Sequence, residues 1–101
     1  PSNPSVTFTE LTKMVGVGPG DEYLGFIADF RNTDNLSQLT LTVKFSRPIT
    51  NAWGDGASAS FNGNEASFYW YQVPCTSIGL FIRAQGNLST ISITGYSCTN
   101  A

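Results

Sequence analysis

The chain has 101 residues, a hydrophobic fraction of 41%, a charged fraction of 12% and a formal net charge of −2. That supplies one core and one domain with about half the usual charge of roughly 25%, so solubility rests on 11 Ser, 11 Thr and 8 Asn. The basic residues Lys13, Arg31, Lys44, Arg47 and Arg83 are scattered, which argues against nucleic acid and anionic membrane surfaces as partners, and no run of about 20 apolar residues marks a membrane span.

In chain order, "PSNPS" at 1–5 is expected to be a linker remnant or processed end, leaving 6–101 as one domain. "SVTFTEL" alternates, with Val6 and Phe8 against Thr7 and Thr9. "GVGPGDE" carries loop glycines; no Lys-Ser/Thr pair follows, so a phosphate loop is excluded. "YLGFIADF" places Leu24, Phe26, Ala28 and Phe30 on one parity. After the turn "RNTDN", "QLTLTVKFS" is the clearest strand, with Leu39, Leu41, Val43 and Phe45 opposed to Thr40, Thr42 and Lys44. "NAWGDGA" is dense in turn residues and is expected to be a loop. "SASF" is a weak strand closed by the turn "NGNE". "SFYWYQV" is a strand, as is "SIGLFIRAQ", whose Ile78, Leu80, Ile82 and Ala84 share a face; "STISITGYS" closes the chain. About seven to nine short strands with turns between them and no helical period predict an all-β antiparallel β-sandwich, of jelly-roll or immunoglobulin-like winding.

The inventory argues against catalysis. With no His, Ser-His-Asp and Cys-His sites are absent. The acids Glu10, Asp21, Glu22, Asp29, Asp34, Asp55 and Glu65 fall mostly in turns rather than across a cleft. No cofactor is expected. Asp21, Glu22 and Asp55 with backbone carbonyls offer oxygen ligands for a structural calcium ion, though without the spacing of a calcium loop. Cys75 and Cys98 are an even pair in a domain of extracellular composition, and one Cys75–Cys98 disulfide is expected, worth roughly 3 kcal/mol in the chain-entropy model. Asn35 and Asn87 each begin an Asn-Leu-Ser glycosylation triplet.

Four consecutive rings, Phe68, Tyr69, Trp70 and Tyr71, present the main question. Alternation sends Tyr69, Tyr71 and Val73 to one face and Phe68, Trp70 and Gln72 to the other. Val73 and Gln72 at the end favour Trp70 and Gln72 outward; the opposite register buries Phe68 and Trp70 and exposes the tyrosines. Either register leaves rings in water. Trp53, set among turn residues, is expected to be partly exposed. Exposed rings bordered by amides and hydroxyls suit a pyranose, whose apolar C–H face packs on an aromatic plane while its hydroxyls reach polar neighbours.

"LTLTVKFSRPITNAWGDG", "SFYWYQV" and "LSTISITGYS" together resemble the bacterial β-sandwich carbohydrate-binding modules of plant-cell-wall-degrading, often cellulosomal, enzymes. The resemblance runs from about Val6 to Ser97, in pattern more than in fixed motif. It implies a secreted, non-catalytic, monomeric module, covalently linked to a catalytic domain. Its partner would be a neutral cell-wall polysaccharide such as cellulose, xyloglucan, mixed-linkage glucan or mannan. The site residues it implies are Trp53 and Trp70, then Tyr69 and Tyr71, with Gln72 as a polar neighbour. The alternative is a structural or protein-interaction sandwich, a spacer or scaffold-docking domain of an extracellular multidomain protein.

Overall fold

The computed structural model describes residues 6–15, 22–30, 36–86 and 88–100. Among these are eight strands: β1 (Thr7–Val15), β2 (Glu22–Asp29), β3 (Ser37–Phe45), β4 (Asn51–Gly54), β5 (Ser58–Asn62), β6 (Glu65–Gln72), β7 (Ser77–Arg83) and β8 (Ile93–Asn100), with a 3-10 turn at Leu88–Thr90. Two four-stranded sheets result. Sheet I has the order β1-β2-β7-β4 and sheet II the order β5-β6-β3-β8, and every pairing is antiparallel.

Alternation builds the core. Leu24, Phe26 and Ala28 of β2, with Phe30 just beyond it, are buried on sheet I, as are Ile78, Leu80 and Ile82 of β7; Leu39, Leu41, Val43 and Phe45 of β3 meet them from sheet II. Phe26 touches Phe45 across the gap, ring centroids 5.9 Å apart. Each buried aliphatic or aromatic side chain contributes about 1.5–3 kcal/mol, and the alternate Thr residues of β3 remain toward solvent.

The winding is of jelly-roll type. β2 pairs with β7 and β3 with β6. β1 and β8 meet at one open edge, where Tyr96 packs on Phe8 at 5.3 Å and its hydroxyl accepts the Val6 N–H at 3.1 Å; β4 lies against β5 at the other. The strands therefore nest as 1–8, 2–7, 3–6 and 4–5.

Three expectations are corrected. "NAWG" is not loop but edge strand β4: its backbone pairs with β7, Trp53 opposite Phe81 and Asn51 opposite Arg83. The turn residues that suggested a loop act one step later, where Gly56, at φ 68°, carries the chain across to β5. The second correction is Trp70, which belongs to the core and is fully buried. The third is the disulfide, because both cysteines are free. Cys98 points inward from β8, level with Leu41 and Phe68 in mid-sheet, and burial pushes its thiol up to about 11. Cys75 is exposed in the turn beyond β6, its thiol donating to the Ser77 carbonyl at 3.0 Å. Residues 1–5, Asp21, Asn35 and Asn87, on which the linker, part of the calcium set and the glycosylation triplets were placed, lie outside the described residues.

Candidate functional site

Strand β6 decides which rings reach water. Ala66, Phe68 and Trp70 are buried, whereas Tyr69 is 41% and Tyr71 74% exposed. The parity inferred from Val73 fails because the strand stops at Gln72. Val73 then leaves the alternation: its N–H donates to the Leu36 carbonyl at 2.8 Å and its side chain turns into the core. Gln72, at the strand end, stays exposed. Trp70 packs edge-on to Phe30 at 5.7 Å and over Phe68 at 6.2 Å. Its indole N–H finds the partner a buried Trp requires, the Asp55 carbonyl, at 2.8 Å.

The outer face of sheet II is a lattice of hydroxyls around these tyrosines. One row across the strands is Ser58, Tyr69, Thr40 and Thr99; the next is Ser60, Ser67, Thr42 and Ser97. Thr42 Oγ1 and Ser67 Oγ share a hydrogen bond at 3.1 Å. Charge enters only at one end among the described residues, where Lys44 Nζ lies 3.8 Å from Glu65 Oε1. At the other end Gln38, beside Tyr71, adopts φ 50°, a left-handed conformation uncommon outside glycine. Exposed Gln38 thus sets an amide beside the more exposed tyrosine, while Gln72, paired with Ser37, has the opposite parity.

Trp53 lies on the opposite side of the molecule. On the outer face of sheet I it stacks on Phe81, with centroids 5.6 Å apart and planes at 17°. Tyr23 of β2 stands edge-on to both, at 5.5 and 5.7 Å. The Arg83 guanidinium carbon sits 5.4 Å from the Trp53 ring centre, a cation–π distance. All three rings are half-buried. The structure therefore brings Tyr69 and Tyr71 together on one face, leaves Gln72 exposed at the strand end on the other parity, and separates all three from Trp53, which joins Tyr23 and Phe81 instead. Those two rings are not among the sequence-based candidates. Their signal was parity: Tyr23 opposes Leu24 and Phe26, and Phe81 opposes Leu80 and Ile82, so both must face outward once the aliphatic sets are inside.

Between the sheets at the β1–β8 edge, Phe8, Leu24, Phe26, Phe45, Ile91, Ser92 and Ile93 line an open, mostly apolar pocket of about 210 Å³. Among the described residues no three His, Cys, Asp or Glu side chains gather into a metal site. The geometry offers flat or shallow surfaces of rings and hydroxyls, suited to stacking and neutral hydrogen bonding. No protein-family model, curated protein or solved structure matches the chain.

Proposed function

We propose that this sandwich is a non-catalytic carbohydrate-binding module of an extracellular enzyme, holding a linked catalytic domain near neutral plant cell-wall polysaccharide. The observation that carries the reading is the exposure of Tyr69 and Tyr71 on one face of β6, set in a sheet surface of Ser and Thr hydroxyls. Same-face residues two apart on a strand are separated by about 6.8 Å, so both rings can contact one glycan chain lying along the strand. Gln38, Thr40 and Thr99 supply donors and acceptors around them. Each ring contributes about 1–3 kcal/mol on the scale of base stacking. Less the cost of association, that corresponds to Kd values of order 1 µM to 1 mM.

Affinity electrophoresis through gels containing xyloglucan, mannan or mixed-linkage glucan tests this directly. The wild-type chain is expected to be retarded by at least one polymer. Tyr71→Ala should weaken binding about 5- to 150-fold while melting near wild type. Unchanged mobility on every glycan would remove the reading and favour the spacer or docking module.

A further inference from the structure

We infer that the module is bivalent: the outer face of sheet I carries a second glycan site, with Trp53, Phe81 and Tyr23 as the ring surface and Asp55 as its hydrogen-bond acceptor. The inference rests on the carbohydrate-binding reading but uses a different face and different residues. Trp53 and Phe81, nearly parallel, form a two-ring slab with the Arg83 guanidinium over its Trp53 side, and Tyr23 stands edge-on to both rings as a wall. An apolar slab alone would accept any hydrophobic partner; the placement of Asp55 narrows the choice. Gly79 lies in the same strand face as Phe81. A Cβ there would sit 3.4 Å from Asp55 Oδ2 and 3.4 Å from Phe81 Cζ. The glycine thus keeps open a recess where a carboxylate oxygen and a ring edge converge.

Asp55 is held there by its backbone. Its N–H donates to the Gly79 carbonyl at 3.2 Å, and its own carbonyl accepts the Trp70 indole N–H at 2.8 Å. The side chain itself is exposed and faces solvent beside the rings. A carboxylate accepts two hydrogen bonds side by side, which matches vicinal hydroxyls on a sugar whose C–H face lies on the neighbouring ring. Trp70 is in this account a positioning residue, acting through the Asp55 main chain. With ring surfaces on opposite faces of the sandwich, one module can hold two chains at once and cross-link them, raising its retention on a polymer by effective concentration.

The test is titration of the intact chain with hexasaccharides of β-1,4-linked glucose, β-1,4-linked mannose and mixed-linkage glucose, read by tryptophan emission. Trp53 is the indole at the proposed site, so the ligand-dependent change should be lost in Trp53→Phe, and a change that persists there comes from Trp70 and does not support the site. In Tyr69→Ala/Tyr71→Ala, a saturable emission change should persist with at least one probe. Adding Asp55→Ala should weaken it at least tenfold, the scale of charge-assisted hydrogen bonds, with no shift in Tm because the backbone bonds remain. Phe81→Ala should abolish it. If the double tyrosine variant loses the emission change entirely, sheet I binds no glycan and only the sheet II reading survives. If Asp55→Ala binds as tightly as its parent, the acceptor assignment is wrong. If emission depends on protein concentration and sedimentation shows a dimer, the face is covered by a second copy and the inference falls. If no probe alters emission or gel mobility in the wild type, both readings fall together.

Discussion

The two outer faces of the sandwich expose rings in different ways. On sheet II, Tyr69 and Tyr71 stand apart from other rings, surrounded by small hydroxyl side chains. On sheet I, Trp53, Phe81 and Tyr23 press on one another, and each is half-buried by its neighbours. An isolated exposed ring adds little to stability and keeps its area for a ligand. A ring in a cluster shares its area with its neighbours, so it supports the fold and has less area left for a ligand, and its removal is felt by the others. Exposure alone therefore does not rank the rings by role; their contacts do.

The largest expected effect separates both faces from the core beneath them. Trp70→Ala should cost about 3–5 kcal/mol, measured by urea denaturation, because it empties a fully buried site and leaves the Asp55 carbonyl without its donor. A change below about 1 kcal/mol would return Trp70 to the surface and reverse the register of β6.

The next largest compares one ring from each face. Phe81→Ala should destabilise by about 1–3 kcal/mol, the loss of half-buried area plus two ring contacts. Tyr71→Ala should stay within about 0.5 kcal/mol. A double-mutant cycle sharpens the contrast: Tyr23 and Phe81 should couple by about 0.5–1.5 kcal/mol, whereas Tyr69 and Tyr71 should add. Equal stability losses on the two faces would erase the distinction.

Thiol chemistry supplies a smaller, positional readout. Folded protein should label quickly at Cys75 only, and at both cysteines once unfolded. Cys98 is shielded on the inner side of sheet II, and its thiol is pushed up to about 11, so reactive thiolate is scarce. The unfolded thiol ionises first, near its ordinary 9.0. Stability should accordingly be intact below pH 9 and decline as pH rises toward about 11. A variant that opens sheet II should speed Cys98 labelling, whereas one confined to sheet I should not. Mass-spectrometric finding of a Cys75–Cys98 bridge would contradict the placement of both residues.

The smallest effect concerns salt. Lys44 and Glu65 form an exposed pair worth about 0–1 kcal/mol, and neutral hydroxyls dominate the rest of sheet II. Raising ionic strength should change glycan affinity there less than about threefold. A steeper dependence would indicate an acidic polysaccharide.

How much of this was legible depended on whether local pattern and long-range pairing agreed. In β3 they agree, because Leu39, Leu41, Val43 and Phe45 are all apolar and all inward. In β6 both parities carry rings, and the residues that seemed to break the tie, Gln72 and Val73, lie where the strand ends and alternation no longer applies. Strand β4 was hidden because "NAWGDG" has turn composition, while its pairing is with residues about thirty positions away on β7. The Tyr23–Phe81–Trp53 cluster needs the order β2-β7-β4, which no local window contains. The cysteines show the same limit: an even count suggests a bond, but only geometry decides whether one can form.

The nested winding also governs how the chain can fold. Only the β1–β2 and β5–β6 hairpins join neighbours in sequence within a sheet. In the second, the tight turn at Gly63 and Asn64 lets Asn62 pair with Glu65, so this hairpin is free to form early. Every other in-sheet pairing waits for a distant segment. Sheet I is incomplete until β7 inserts between β2 and β4, and sheet II until β8 reaches β3. Such high contact order places folding in the range of milliseconds to seconds. During that interval the inward faces of β2 and β3 lack their partners, and the chain passes through its most aggregation-prone stage before its last strand arrives.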